Sequence, residues 1–181
     1  MYLKEILMSA NNIFPVHRLN HDLLSDSSGI LIINADKIPP HLGIYSTSKY
    51  FSVSVNDVHI GNSIEVIIQY IHRKRIPTIF IRLKEEFNEN DLIETFNSFQ
   101  KLSGQCTCIQ PIKEMFKSKV PEASKAMFIF ELIPILRSNG WVKSYHHLYA
   151  DELLIDKSFS LRTYSMDDVM DRINLLINDK E

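Results

Sequence analysis

Between residues 29 and 83 the chain lays down short runs of branched and aromatic residues, each cut off by Pro, Gly or a polar turn. None of these runs is long enough for a buried helix, so they constrain this stretch towards strands. Residues 30–34 follow the polar stretch 25–28 and Gly29, and their length and branching predict a buried strand. Pro39-Pro40 then breaks the chain. Residues 41–46 and 49–55 read as two strands around a Ser-Thr-Ser-Lys turn, the second alternating Phe51, Val53 and Val55. Residues 77–83 form another strand. Between them the period changes: Ile64, Ile67, Ile68 and Ile71 recur at helical spacing behind Asn62-Ser63-Ile64-Glu65. There Asn62 is expected to accept from the Glu65 amide, and the basic residues 72–75 suit the negative end of the helix dipole. The fold class that follows is α+β, with a mainly antiparallel sheet early in the chain packed on helices.

Most of the remainder has a helical period. Residues 2–13 carry Leu3, Ile6, Leu7 and Ala10 at the spacing of an amphipathic helix. Asn90 opens a helix with Leu92, Phe96, Phe99 and Leu102 inward, ended by Gly104. Another begins near Cys108, with Ile112, Met115 and Phe116 on its inner face. Residues 122–139 read as a helix closed by Asn139-Gly140 and kinked or shortened by Pro134. Strands are favoured in 141–155 and 159–164, and Ser165-Met166-Asp167-Asp168 caps a last helix reaching Ile177. No repeat and no Gly-, Ser- or Pro-rich linker divides the 181 residues, which predicts a single domain, 1–181.

Composition removes several function classes. Twenty Lys+Arg against 22 Asp+Glu give a net charge of −2. That balance, and the lack of aromatics among the basic residues 72–75, argue against a nucleic-acid partner. The 45% hydrophobic share excludes a disordered chain. No apolar run approaches the roughly 18 to 20 residues needed to cross a bilayer, and the first residues lack a signal-peptide pattern, so a cytoplasmic protein without a membrane span is expected. The apolar stretch 127–136 offers a face either to the core or to a second copy in a homo-oligomer. The two cysteines, Cys106 and Cys108, are too few and too close to staple a secreted scaffold.

The sharpest chemical feature is the run Gln105-Cys106-Thr107-Cys108-Ile109-Gln110-Pro111-Ile112-Lys113. Thr107 with Gln110 fits a capping box; a cap at Cys108 instead puts Pro111 in the first turn, where its missing N–H costs nothing. In either register Cys108 lies at a helix N-terminus, where amides and dipole stabilise a thiolate, while Cys106 lies before it. The plain alternative is two small buried hydrophobes. Zinc would need further ligands; His146 and His147 are adjacent and on a strand point to opposite faces, and no second ligand pair exists, so no metal is expected. A nucleophilic thiol needs a base. Of the seven histidines, His72 belongs to the basic helix end and His17 and His21 to a polar connector. His41 starts a strand directly after Pro39-Pro40, where an imidazole can either face a helix N-terminus packed on the sheet or make a structural hydrogen bond.

Gly29-Ile30-Leu31-Ile32-Ile33, a short loop and then His41-Leu42-Gly43-Ile44-Tyr45 resemble the papain-like NlpC-type thiol hydrolase superfamily. There a "G-D-hydrophobic" strand precedes an "H-x-G-I-Y" strand whose His is the general base. Placing the cysteine helix after these strands matches the circularly permuted branch, which includes the lecithin:retinol acyltransferase-like proteins. The apolar Ile112, four residues after Cys108, fits the family's cysteine helix better than Gln110 does after Cys106. Ile30 stands where the family carries Asp. The family's third residue, which orients the His, falls at Val53 by the simplest spacing, with Ser52, Ser54, Asn56 and His59 nearby.

The resemblance implies a permuted core over 29–116, with 117–181 packed on it as an extension. It implies a hydrolase or acyltransferase in which Cys108 and His41 are the catalytic pair and no cofactor is required. The substrate implied is a peptide or an acyl-amide or ester. The rival expectation is a non-catalytic interaction or scaffold domain on the same fold.

Overall fold

The computed structural model describes residues 12–24, 27–54, 57–100 and 107–178. Its main feature is a seven-stranded sheet in the order β2-β8-β7-β3-β4-β5-β6. These strands are β2 (His17–Arg18), β3 (Ser28–Ile33), β4 (His41–Ser46), β5 (Lys49–Val53), β6 (Val58–Ser63), β7 (Thr78–Leu83) and β8 (Val142–Leu148). All neighbours pair antiparallel except β2 with β8. A three-stranded sheet joins β1 (Ile13–Pro15), β10 (Ser158–Ser160) and β9 (Leu154–Ile155). The chain is therefore α+β, and the sheet draws on both its early and its late strands.

Strand alternation divides the core between the two faces of the large sheet. Leu31, Ile33, Tyr45, Tyr50 and Phe80 pack beneath helix α1 (Ile64–Lys74), which brings Ile64, Ile67, Ile68 and Ile71. Ile30, Ile32, Leu42, Ile44, Phe51 and Ile81 face the other way. There they meet α2 (Glu89–Gln100), α3 (Ile109–Phe116) and α4 (Ile129–Ser138) through Phe96, Ile112, Phe116 and Leu132. Alternation with a period of two is what lets one strand serve both layers.

The helix ends follow local chemistry. Ser63, one residue after Asn62, caps α1 by accepting from the Glu65 amide at 3.3 Å, and Arg75 closes it in the left-handed region with φ 51°. Asn88 Oδ1 accepts from the amides of Asn90 and Asp91 at the start of α2. The helix expected over 122–139 begins later: 121–125 form a 3-10 turn, and α4 starts where Glu131 Oε2 accepts from the amides of Met127 and Phe128. Pro134 sits inside α4, which continues across it. Ser165 and Asp168 exchange hydrogen bonds at the head of α5 (Met166–Asn178), as their spacing predicts.

Two expectations are corrected, and a third falls outside the described residues. Ile13, expected in the first helix, lies in β1, while residues 1–11 of that helix lie outside the described residues. Strand β6 was not anticipated, because its six residues hold Gly61 and alternate poorly. Its outer edge is unpaired among the described residues. The helix end at Gly104 lies outside the described residues. Among the described residues no helix is long and apolar enough to cross a membrane.

Candidate functional site

Cys108 caps α3, with φ −59° and ψ −16°, and Pro111 falls in the first turn as that register requires. The Gln110 amide is used by the Thr107 carbonyl at 3.0 Å, and Pro111 has no N–H. Ile109 and Ile112 are buried against the sheet, which presses the N-terminus of α3 towards β4. Cys108 itself is half-buried. Cys106 lies outside the described residues.

His41 opens β4 and is half-buried. It shares strand parity with Gly43 and Tyr45, the α1 side of the sheet, whereas Leu42 and Ile44 face α3. Its nearest described polar partner is Tyr50: the hydroxyl lies 3.5 Å from His41 Nε2, at the outer limit of a hydrogen bond. Gly43 makes that reach possible. A Cβ on Gly43 would stand 2.4 Å from the Tyr50 hydroxyl and ring, so the phenol lies directly over the glycine. The His59 ring sits 5.7 Å from that of Tyr50.

Burial dominates the electrostatics. It holds the His41 imidazole at about 4 against an ordinary 6.5, with the His59 charge pushing the same way and Asp57 opposing. His41 is therefore neutral at physiological pH. Burial also raises the Tyr50 phenol well above its usual range; nearby Ser52 eases the shift and the Cys108 thiol adds to it. Cys108 likewise adds to the burial-driven rise at Tyr164. The thiol thus lies within electrostatic reach of one tyrosine that touches His41 and another that packs on Phe128 and Phe130.

The structure brings His41, Tyr50, Asp57 and His59 together at one end of the sheet and sets Cys108 on the helix that packs on the opposite face. Of the residues considered for orienting the His, Ser52 is buried beside Tyr50, His59 is half-buried, Val53 lies in the α3-side core, and Asn56 lies outside the described residues. Tyr50 was missed by sequence reasoning, although the glycine two residues after His41 signals a space that a large side chain must fill. A groove of about 190 Å³ opens near the start of α3, lined by Thr107, Ile109, Gln110 and Lys113 with Met127, Met166, Met170 and Ile173; Cys108 is not part of its wall. Among the described residues no cluster of His, Cys, Asp or Glu could hold a metal ion. No family model, curated protein or solved structure matches this chain.

Proposed function

We propose that the chain is a cysteine-dependent hydrolase or acyltransferase on a permuted papain-like core, with Cys108 as nucleophile and His41 as general base. The observation that carries this reading is the cysteine at the N-cap of a helix seated on the very sheet whose β4 begins with His41. In this mechanism the His41 imidazole, turned away from the Tyr50 hydroxyl it faces in the resting chain, takes the proton from Cys108 Sγ, and the sulfur bonds to the carbonyl carbon of an amide or ester. The Cys108 and Ile109 amides hold the oxyanion. The C–N or C–O bond then breaks as His41 returns its proton to the leaving atom. Water or an acceptor amine attacks the thioester, and the thiol is restored. The groove at the start of α3, with Met127, Met166 and Met170 in its wall, offers flexible apolar surface for a substrate.

A second reading, a non-catalytic interaction domain, is favoured by one observation: His41 turns towards Tyr50 on the face opposite α3. The test uses a Cys106→Ser background and p-nitrophenyl acetate, with acylation of Cys108 followed by mass. Acylation that Cys108→Ala abolishes and His41→Ala slows about 100-fold supports the enzyme. A rate indifferent to His41→Ala, or no acylation, overturns it in favour of the second reading. Circular dichroism and thermal unfolding of both variants check that each keeps the wild-type fold.

A further inference from the structure

At the other end of β4 from His41, a row of side chains crosses four strands on the α1 face. Tyr45 on β4 is paired with Gly29 on β3, Gly29 with Arg82 on β7, and Arg82 with Ser144 on β8. A Cβ on Gly29 would stand 2.4 Å from the Tyr45 ring, so the phenol lies over the glycine and is carried towards Arg82. His146, on the same face of β8, shares a 2.9 Å hydrogen bond with the Ser144 hydroxyl through Nε2. The exposed His17 ring stands 6.3 Å from that of His146.

Three polar atoms of this row are buried without a hydrogen-bond partner: Tyr45 Oη, Arg82 Nε and His146 Nδ1. Tyr45 is 0% exposed and His146 7%. Tyr45 Oη and Arg82 Nε can donate, and so can His146 Nδ1 in the tautomer whose Nε2 accepts from the Ser144 hydroxyl. Among the described residues no carboxylate pairs with Arg82, since the ion pairs are Asp36–Lys37, Glu114–Lys117 and Glu85–Lys119. Ser27 and the guanidinium lie close enough to the phenol to oppose its burial-driven rise, yet neither bonds it with good geometry. A buried donor left unpaired is costly, and two such donors beside the Arg82 guanidinium, which no described carboxylate pairs, are complementary to a negatively charged acceptor.

We propose that Tyr45, Arg82 and His146 form a binding site for a small oxyanion, a phosphoryl or carboxylate group, held by the Arg82 guanidinium and oriented by the Tyr45 and His146 donors. The site is separate from Cys108 and does not depend on its chemistry. Burial first, then the Arg82 and His17 charges, push the His146 imidazole down, while the nearby Arg18 backbone opposes them.

The test titrates the whole chain with inorganic phosphate and with acetate, each against chloride at equal ionic strength, following the melting temperature and the Arg82 Nε–H resonance. Saturable binding of phosphate assigns a phosphoryl group, and saturable binding of acetate a carboxylate. Tyr45→Phe removes one donor and is expected to weaken binding about tenfold. Arg82→Gln is expected to weaken it about 100-fold. Neither anion binding above chloride, or unchanged affinity in both variants, overturns the site. If Arg82→Gln fails to fold, the wild-type Arg82 Nε–H resonance and Tyr45→Phe still decide: an unmoved resonance or undiminished binding overturns it.

Discussion

Replacing His41 with Gln should remove a specific part of the pH dependence of stability. The imidazole titrates at about 4 in the folded chain and near 6.5 when unfolded, because burial disfavours its charged form. Between those values the unfolded chain binds the proton and the folded chain does not, so stability is complete above pH 6.5 and falls as pH drops through 4. The full gap amounts to roughly 3 kcal/mol, of which about 2 kcal/mol is already lost at pH 5. His146 and His147, also pushed down first by burial, add losses of the same sign, so the wild-type curve alone does not isolate His41. The difference between wild type and His41→Gln does. Urea unfolding at pH 7.5 and pH 5 should show the wild type losing about 2 kcal/mol more than the variant. Equal losses would refute the claim that His41 is buried as a neutral imidazole. A direct NMR titration of the His41 ring should then find a midpoint near 6.5 instead of about 4.

Three further outcomes follow from packing and capping. Gly43→Ala drives a Cβ into the Tyr50 ring and should destabilise the chain by about 1–3 kcal/mol in thermal or urea unfolding, a loss that Tyr50→Val in the same chain partly reverses. Phe116→Ala empties a fully buried position edge-on to Phe87 and Trp141 and should cost about 3–5 kcal/mol by the same measurement. Ser165→Ala removes the hydroxyl but keeps the amide, the stronger of the two donors that hold the Asp168 carboxyl below its usual value; that carboxyl should move part of the way back towards 3.8 by NMR, with faster amide exchange in the first turn of α5.

What was legible in the sequence was whatever one local rule dictates. The branched runs at 30–33 and 79–83 are strands because little else suits their length and shape, and the Ile64-Ile67-Ile68-Ile71 stripe is the buried face of α1. Of the two caps the sequence left open, Thr107 and Cys108, the second is the one that puts Pro111 in the first turn, where its missing N–H costs nothing. Strand β6 was hidden because an edge strand buries little, and Gly61 at φ 74° interrupts its pattern. Residues 122–139 misled because Pro121 and Glu122 suit any helical first turn, and the chain spends that turn on a 3-10 segment before Glu131 sets the true start. The face on which His41 lies could be counted from strand parity. That Tyr50 would reach it depends on a cross-strand neighbour and a vacancy over Gly43, which no local pattern encodes.

The same vacancy bears on what the resemblance carries. Gly29 and Gly43 each lie beneath a tyrosine, Tyr45 and Tyr50, and in each case a Cβ would stand 2.4 Å from the ring or hydroxyl. The glycines are therefore required by packing on the α1 face whether or not the thiol works. They are also two of the residues on which the likeness to the thiol hydrolases rests. Conformity at Gly29, Gly43 and Tyr45 thus counts as evidence for the sheet, and the evidence for chemistry narrows to His41 and the Cys108 cap. The two can be pulled apart by substitution: Cys108→Ser should leave the melting temperature close to wild type while removing any thioester chemistry. Gly43→Ala should do the reverse in kind, lowering the melting temperature before any question of catalysis arises.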